Sequence, residues 1–543
     1  MMRPFRRIWP IGQRALGRRY KSTFVTTPIF YVNANPHIGH LYTMVLADAV
    51  KRWNVFRYQT PGYLTTGTDE HGLKVQQAAA KAGVSDPQEF VDNASKVFEK
   101  LADAAGLSHD RFIRTTDNDN VQAAKALWNT LMEKGYIYKG DHSGWYCVSD
   151  ETFYPENQVV KTEDGVFSKE TGKEVEWISE VNYFFSLSKF RKQLVERLQQ
   201  TPGAIVPQVW QRTVLRELDE NPLEDLSISR PKSRNSWGVT VPGDETQVMY
   251  VWFDALVNYL ASAGYPWANK AAQDDSIWPP DVQIVGKDIV RFHAVYWPAF
   301  LMAADLPINK TLLVHAHWTL DGAKMSKSLG NVVDPFQLIK WIGADSMRFF
   351  LLNDGAIDHD SVYSEDRIIS RHNSELCNKY GNLVTRLCGP KFSIQQSLSV
   401  DASGHFEQSY PPGYVEKYRQ IINQANSLLD RVSGHMVNFT TSRALAEVWD
   451  LLHLTNQYIQ DSEPWSKNVD ETSRMCMIQT ASEVVRIASI VLQPFVPQLA
   501  NTVLDRIRVS TDKRTADYAR FGTDKTYGEG ANYKGDHPLK PIK

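Results

Sequence analysis

The sequence predicts an α/β protein whose parallel sheet is interrupted by an inserted module and followed by a separate helical domain. Three observations predict this fold class. Strand-like and helical segments alternate before residue 117, which is typical of a parallel sheet. A stretch dense in aromatic, turn-forming and charged residues, 136–190, breaks that alternation, which returns between residues 249 and 315. Beyond residue 368 the chain consists of long helical runs with no strong strand signal.

The first strands and the helix between them place the first candidate site. Residues 24–32 are rich in β-branched and aromatic side chains, as in a buried strand, and an amphipathic helix follows through about residue 57. A second strand over residues 63–68 ends in Asp69-Glu70-His71-Gly72. In open parallel sheets ligands bind beyond the carboxyl ends of the strands, so we expect the site there.

The expected domain boundaries follow from these changes of pattern. We predict a targeting segment over residues 1–21, the two halves of the α/β domain over 22–117 and 230–320, the insertion over 118–229, a loop region over 321–367 and the helical domain over 368–543.

The first 21 residues differ from the rest of the chain. They contain seven Arg or Lys residues interleaved with apolar ones and no acidic residue, and the first acidic residue is Asp48. This composition predicts an organellar transit peptide; the alternative is a basic nucleic-acid-binding arm. Without them 53 basic side chains face 62 acidic ones, a net charge of about −9, so RNA would have to bind at local patches.

Cysteine usage and hydropathy exclude several classes of protein. The four cysteines show neither a C-x-x-C pair nor a histidine at ligand spacing, so neither a disulfide framework nor a zinc site is indicated; they are Cys147, Cys377, Cys388 and Cys476. No uninterrupted apolar run reaches the roughly eighteen residues of a membrane span. We interpret the most apolar region, residues 487–499, as a buried helix and its end.

Two short motifs indicate the chemistry. His37-Ile38-Gly39-His40 follows the first strand, where a helix begins, and free backbone amides at such a junction attract anions. Lys324-Met325-Ser326-Lys327-Ser328 places two ammonium groups on a loop between Gly322 and Gly330. Taken singly, His37 would be a loop histidine and Lys324 a solvated charge, but together the motifs predict a triphosphate site.

Activation of a carboxylate by ATP requires in-line attack at the α-phosphate while pyrophosphate leaves. Catalysis of such a step depends mainly on positioning and on stabilising charge. His37 and His40 can donate hydrogen bonds to phosphate oxygens, and Gly39 removes a side chain that would block adenine. Lys324 and Lys327 can close over the β- and γ-phosphates.

With both motifs, the chain resembles the class I aminoacyl-tRNA synthetases, and within them the mitochondrial methionyl-tRNA synthetase family. The resemblance implies a Rossmann-like catalytic domain with a connective insertion, a stem-contact role for residues 321–367 and an α-helical anticodon-binding domain. It implies ATP with Mg²⁺ as cofactors and methionine and tRNA(Met) as partners. The implied catalytic residues are His37, His40, Lys324 and Lys327, and the implied ATP-binding residues are Gly39, Asp288, Lys324, Ser326, Lys327 and Ser328.

The resemblance also implies a methionine pocket, in which Asp69 holds the substrate ammonium group. The other implied pocket residues are Ile29, Tyr31, Trp252, Ala255, Tyr259, Phe292, His293 and Trp297. A methionine side chain is unbranched, polarisable and nearly without hydrogen bonds, so shape and contact between sulfur and aromatic rings must select it. Without the motifs, any one of these aromatic residues would be assigned to the core.

For RNA, the resemblance implies anticodon contacts by Asn382, Arg386 and Trp465. Single-stranded loops are read by stacking on exposed rings and by hydrogen bonds to base edges. The alternative for Trp465 is that it packs against a helix end after Pro464.

The sequence departs from many relatives in two places. A zinc knuckle built from paired cysteines is reduced to Cys147, and residues 167–172 stand where a second pair would be, so zinc is not expected. The chain also ends without the C-terminal module that dimerises some relatives, so we expect a monomer.

Competing functions fit the sequence less well. Synthetases for leucine, isoleucine and valine need a large editing insertion, and one for cysteine needs a thiolate-binding metal. Small nucleotidyltransferases share a His-x-Gly-His turn but have no reason to carry the helical domain, and a degenerate RNA-binding relative would have lost motif residues. We therefore expect an enzyme that activates methionine and charges tRNA(Met) for organellar translation, without membrane attachment, in the mitochondrial matrix.

Overall fold

The structure, a computed structural model, describes residues 22–147, 152–154, 156–163, 165–169, 171–320, 322–324, 332–400, 412–532 and 537–542. Its α-helices are Ile38–Tyr58, Leu73–Lys81, Pro87–Ala104, Asn118–Glu133, Arg191–Gln200, Gln208–Glu220, Val251–Ala261, Lys270–Asp275, Trp297–Ala303, Pro335–Ile342, Ala344–Asp354, Glu365–Arg371, Asn382–Leu387, Ile394–Ser397, Pro412–Met436, Thr441–Ser462, Glu471–Leu492 and Pro497–Arg506. Two π-helical segments are Phe292–Tyr296 and His372–Gly381.

Its β-strands are Thr23–Tyr31, Gly62–Asp69, Arg111–Arg114, Ile137–Cys147, Thr152–Tyr154, Val159–Thr162, Gly165–Ser168, Glu176–Phe185, Ile205–Val206, Leu226–Ser227, Ser229–Pro231, Thr240–Val241, Asp244–Met249, Val282–Gly286, Thr311–His315, Trp318–Leu320, Ala323–Lys324 and Ser361–Val362.

A parallel sheet organises the first part of the chain. Within the described residues it has six strands, in the spatial order Arg111–Arg114, Gly62–Asp69, Thr23–Tyr31, Val282–Gly286, Thr311–His315 and Ile205–Val206. Tyr31 lies opposite Asp69, and Gly286 lies opposite His315. The carboxyl ends of the strands therefore bring residues from distant parts of the sequence to one edge.

The insertion forms a sheet of its own. Ile137–Cys147 pairs antiparallel with Glu176–Phe185 and with Thr152–Tyr154. Ile205–Val206 lies within the range 118–229 predicted as the insertion, yet it pairs in parallel with Thr311–His315. A strand of two residues carries too short a hydrophobic pattern to be recognised from sequence.

The second half of the chain is helical. In its described residues no strand follows Ser361–Val362, and the long helices pack around Glu471–Leu492. That helix is the one described segment long and apolar enough to cross a membrane, but 94% of its apolar window is buried inside the protein. It is a core helix, as predicted, and its buried Arg486 is paired with Glu483 at 2.7 Å.

A buried arginine joins the two halves. Arg348, on the helix Ala344–Asp354, is 1% exposed and pairs with Asp48 of the helix Ile38–Tyr58 at 2.7 Å. Its guanidinium also donates to the carbonyl oxygen of Phe495 at 2.9 Å. Burial alone would raise the pKa of Asp48, but Arg348, Arg52 and Ser108 lower it below its usual range. The helix that begins at the first motif is thus tied to the helical domain.

Candidate active site

The first motif caps the helix Ile38–Tyr58. Nδ1 of His37 accepts a hydrogen bond from the backbone N–H of Gly39, and Nδ1 of His40 accepts one from that of His37, each at 3.1 Å. A ring nitrogen that accepts carries no hydrogen, so the ring hydrogen of each imidazole is on Nε2. The rings stack with centroids 3.8 Å apart, and a Cβ at Gly39 would lie 2.9 Å from the His37 ring. The motif therefore holds two ring donors side by side at a helix N-terminus.

The short strand Ala323–Lys324, which leads into the second motif, lies near the helix that begins at the first motif. Ala323–Lys324 pairs antiparallel with Trp318–Leu320, which places Lys324 opposite Thr319. The ring of Trp318 contacts that of Tyr42 edge-on, with centroids 6.0 Å apart. The side chain of Lys324 and all of Ser326, Lys327 and Ser328 lie outside the described residues.

His315 links the central strands to the first helix. Nδ1 of His315 contacts the carbonyl oxygen of Ala316 at 2.8 Å and must therefore carry the ring hydrogen, so Nε2 accepts from the Thr43 hydroxyl, also at 2.8 Å. Burial lowers the pKa of His315 to about 4, so the ring is neutral near pH 7. The ring is held in place beside the first helix and does not act as a proton carrier.

Asp288 lies just beyond the carboxyl end of Val282–Gly286. Its carboxylate pairs with Nε2 of His317, and the backbone N–H of His317 donates to Asp360 at 3.0 Å. Asp360 in turn pairs with Lys287 at 2.7 Å. The predicted ribose ligand is thus at the carboxyl edge of the parallel sheet, with a histidine against it.

The predicted methionine-pocket aromatics converge on one place. Trp252 stacks on Phe292 with ring centroids 3.7 Å apart, and Tyr259 lies beside Trp297 with centroids 6.0 Å apart. The Tyr259 hydroxyl and Nε2 of His293 are 2.8 Å apart. Trp252, Ala255 and Tyr259 share the helix Val251–Ala261, whereas Phe292 and His293 lie in the π-helical turn that precedes Trp297. A π-turn is frequent at functional sites because it redirects side chains.

His293 is neutral in this cluster. Nδ1 bonds the carbonyl oxygen of Ile289 at 2.9 Å and must carry the hydrogen, so Nε2 accepts from the hydroxyl of Tyr259. Burial lowers the pKa of His293 to about 4. Burial, together with the nearby Asp69 carboxylate, raises the pKa of Tyr259, which keeps its hydroxyl protonated. The cluster offers an apolar wall in which the polar atoms of His293 and the hydroxyl of Tyr259 are already bonded.

Asp69 ends its strand opposite Tyr31 and is 6% exposed. Ile29 and Tyr31, on the neighbouring strand, are half-buried and pack against the two hydrophobic cores. The predicted ammonium ligand therefore lies at the sheet edge beside the aromatic cluster.

The residues that follow Asp69 are held in place by hydrogen bonds and ion pairs that were not predicted from the sequence. Glu70 is fully buried and accepts from Arg114 at 2.8 Å. His71 donates through Nδ1 to the buried Asp254 at 2.5 Å, and Trp237 donates to the Glu70 carbonyl oxygen at 2.6 Å. Asp254 belongs to the helix that carries Trp252 and Tyr259, so it joins the loop of Asp69 to the pocket helix. Only one sequence signal could have identified Asp254 as a site residue: it lies two positions after the predicted pocket residue Trp252.

Two of the predicted anticodon residues line one groove. Arg386 and Trp465 border a groove of about 310 Å³ between the helices Asn382–Leu387 and Thr441–Ser462. Trp465 is 41% exposed, which is unusual for so large an apolar ring. Asn382 lies one helical turn before Arg386 and is half-buried. The groove is apolar with a cationic rim, which suits a base stacked on a ring.

Metal-binding groups are absent from the described part of the chain, where no three or more His, Cys, Asp or Glu side chains could hold an ion. Cys147 is buried at the end of its strand, and residues 148–151 lie outside the described residues. The expectation that zinc is not bound stays a prediction.

Comparison with known proteins agrees with this geometry. One family model, described as tRNA synthetases class I (M), matches residues 23–388, and another, described as the anticodon binding domain of methionyl tRNA ligase, matches residues 412–531. The mitochondrial methionine–tRNA ligase of Candida albicans is 42% identical, over 96% of this chain and 97% of that protein. The human mitochondrial methionine–tRNA ligase is 40% identical, over 94% of this chain and 88% of that protein.

A solved structure agrees as well. The methionyl-tRNA synthetase of Mycobacterium tuberculosis in complex with methionyl-adenylate has a TM-score of 0.85 to this chain, at 36% identity over 96% of this chain and 99% of that one. This chain belongs to the class I methionyl-tRNA synthetases.

Family membership confirms the predicted enzyme class and fold. The chain is an ATP-dependent methionine–tRNA ligase with a parallel catalytic sheet and a helical anticodon-binding domain, and its substrates are methionine and tRNA. The mitochondrial relatives match over nearly the whole chain, which supports the predicted mitochondrial location. Both motifs lie within the range that the synthetase family model matches, and the roles of their individual residues stay predictions.

Proposed function

We propose that this chain charges tRNA(Met) in the mitochondrial matrix, with the reaction divided among the residues of the two motifs. A methionine carboxylate oxygen attacks the α-phosphorus of ATP, a new P–O bond forms, and the bond to the β-phosphate breaks to release pyrophosphate. The Nε2–H groups of His37 and His40 donate to phosphate oxygens as charge develops there. The observation that carries this assignment is the reciprocal capping, which leaves the ring hydrogen of each imidazole on Nε2.

The other ATP contacts follow from position. Gly39 leaves room for adenine beside the His37 ring, and Asp288 binds the ribose hydroxyls at the sheet edge. Lys324 and Lys327 neutralise the leaving pyrophosphate, and Ser326 and Ser328 bond its oxygens. Mg²⁺ would enter with ATP as the counter-ion of the triphosphate and would neutralise part of its charge.

Methionine binds between Asp69 and the aromatic cluster. The Asp69 carboxylate pairs with the substrate ammonium group, while Trp252, Phe292 and Trp297 surround the thioether. The neutral His293 and the protonated Tyr259 bond each other, so neither offers a charge to a competing polar side chain. Ile29, Tyr31 and Ala255 complete the walls. Selection therefore rests on shape and sulfur–ring contact.

The anticodon binds at the groove of the helical domain. Trp465 stacks on one unpaired base, Arg386 contacts base or phosphate, and Asn382 bonds a base edge. Exposure of the Trp465 ring beside an arginine supports this assignment.

The decisive experiment is pyrophosphate exchange into ATP by the purified protein across a panel of amino acids. Exchange should require methionine. Lys327→Ala should slow exchange far more than it weakens methionine binding, because its charge is needed most when pyrophosphate leaves. Exchange driven equally well by leucine or cysteine would falsify the assignment.

Matrix targeting is proposed for residues 1–21, which lie outside the described residues. Deleting them should leave exchange activity intact and keep the protein in the cytosol, as judged by fractionation. Import that persists after the deletion would contradict the transit-peptide assignment. We also propose that the enzyme acts as a monomer, and sedimentation at several concentrations tests this oligomeric state. We further propose that the enzyme is not attached to a membrane.

A further inference from the structure

The C-terminal tail, residues 537–542, crosses the helix that carries the proposed anticodon residue Asn382. Asn373 and Ile542 bond each other twice, from the Asn373 amide to the Ile542 carbonyl oxygen at 2.7 Å and from the Ile542 N–H to Asn373 Oδ1 at 2.8 Å. Nε2 of His372 lies 2.9 Å from the carbonyl oxygen of Lys540. These bonds fix the tail in register along the π-helical segment His372–Gly381.

His537 begins this described tail and contacts Asn382 directly. Its Nε2 lies 3.1 Å from Oδ1 of Asn382. An amide oxygen can only accept, so Nε2 must donate. Nδ1 of the same ring faces Leu539, whose carbonyl oxygen it contacts and whose backbone N–H lies 3.2 Å away. The amide nitrogen of Asn382 lies 3.5 Å from Oδ1 of Asn378, so the amide oxygen is the end turned toward the tail.

Gly381 provides the space for the His537 ring. A Cβ at Gly381 would lie 2.2 Å from Cε1 of His537 and 2.8 Å from Nε2, so no larger residue fits while the ring is in place. The backbone of Gly381 has an ordinary helical φ of −63°, so the glycine serves close approach rather than a special conformation.

We propose that His537 is a positioning residue for anticodon reading that acts through Asn382. With Oδ1 held by His537 and one Nδ2 hydrogen directed at Asn378, the Asn382 side chain can donate its other Nδ2 hydrogen to an acceptor atom on the edge of an unpaired base. Without His537 the Asn382 amide rotates freely between its two orientations. One of these orientations presents Oδ1 to the base instead of Nδ2. This inference rests on the proposed anticodon role of Asn382.

The test uses the full-length protein, unmodified tRNA(Met) transcripts and transcripts with single anticodon changes. His537→Ala and Gly381→Ala should each raise the KM for tRNA(Met) about tenfold. Each variant removes the hydrogen bond from His537 that orients the Asn382 side chain. Both should reduce discrimination against changed anticodons, while pyrophosphate exchange without tRNA stays within about twofold of the original.

Gly381→Ala is the sharper variant, because alanine has the higher helix propensity and its effect cannot come from a weaker helix. Gly434→Ala is the matched control: Gly434 lies in the helix Pro412–Met436, and a Cβ there meets nothing within 4 Å. This control should not change tRNA charging. His537→Gln, which keeps a donor, should recover part of the loss.

Asn382→Ala separates the proposed anticodon role of Asn382 from the proposed positioning role of His537. If His537 acts through Asn382, adding His537→Ala to Asn382→Ala should raise the KM for tRNA no further. A raised KM in Asn382→Ala with an unchanged KM in His537→Ala and Gly381→Ala would overturn the role of His537 and leave the anticodon site standing. An unchanged KM in Asn382→Ala would overturn the anticodon role and the positioning role together. Exchange that falls as far as charging would show a structural role and also overturn the inference.

Discussion

At the residue scale, the buried carboxylate of Asp254 connects two parts of the methionine site. It accepts from His71, two residues after Asp69, and from Asn120 at 3.2 Å. Neither His71 nor Asp254 was predicted from sequence as a site residue. Because both are buried, the loop that follows Asp69 and the helix that carries Trp252 hold each other in place.

Asp254→Ala should raise the KM for methionine by roughly ten- to a hundredfold, the cost of losing a buried charged hydrogen bond. The KM for ATP should not change, because the two motifs lie on other elements. Steady-state pyrophosphate exchange measures both constants. Asp354→Ala is the control, since Asp354 is equally buried and paired with Arg367 at 2.6 Å but lies outside the pocket. Parallel increases of both constants would show that Asp254 supports the fold as a whole.

At the scale of elements, the groove between Asn382–Leu387 and Thr441–Ser462 is formed by helices whose buried faces pack on Glu471–Leu492. Trp465 follows the end of Thr441–Ser462, where Glu463 adopts a left-handed backbone conformation with φ of 44°. The chain therefore leaves the helix sharply and turns the ring outward. The exposed fraction of Trp465 favours a binding role over the alternative that it only packs the helix end.

Trp465→Ala should raise the KM for tRNA roughly five- to a hundredfold, because stacking of a base on an aromatic ring contributes about 1–3 kcal/mol. Charging of transcripts with altered anticodons should fall less, so that discrimination between anticodons decreases. Trp341→Ala is the control, because Trp341 is also 41% exposed. It should leave the dependence on anticodon sequence unchanged. A collapse of methionine-dependent exchange in Trp465→Ala would instead assign Trp465 to the fold.

At the scale of the whole molecule, apolar packing is continuous between the catalytic and helical parts. Val45 of the first helix, Leu352 of the helix Ala344–Asp354 and Val448 of the helical domain belong to one buried core. Arg348 lies in the same junction, with its charge matched by Asp48 and its other donors by backbone carbonyl oxygens. A helix bearing the first motif therefore cannot move independently of the helical domain.

Arg348→Met should lower the free energy of unfolding by about 3–5 kcal/mol, because it leaves the buried Asp48 without its main partner. Urea denaturation followed by circular dichroism measures the change. Arg367→Met removes a half-exposed partner of Asp354 and should cost about 1 kcal/mol or less. Equal losses in the two variants would contradict the junction role of Arg348.

Local sequence was sufficient for much of this structure. The strand over residues 24–32 is observed at Thr23–Tyr31, the helix expected through about residue 57 at Ile38–Tyr58, and the strand over 63–68 at Gly62–Asp69. Periodicity predicts such elements because each buries a continuous apolar face. The two motifs likewise predicted the family, since each carries its chemistry within a few consecutive residues.

Only the tertiary structure determined the contacts between residues that lie far apart in the sequence. The bond from His71 to Asp254 spans 183 positions, and that from Arg348 to Phe495 spans 147, so no local pattern records either. The strand Ile205–Val206 joins the sheet only because a neighbour supplies its hydrogen bonds. His537 lies on Gly381 because the chain returns there after more than 150 residues. Periodicity and motifs encode what a residue does with its neighbours in sequence, whereas burial and charge pairing are settled when the whole chain has packed.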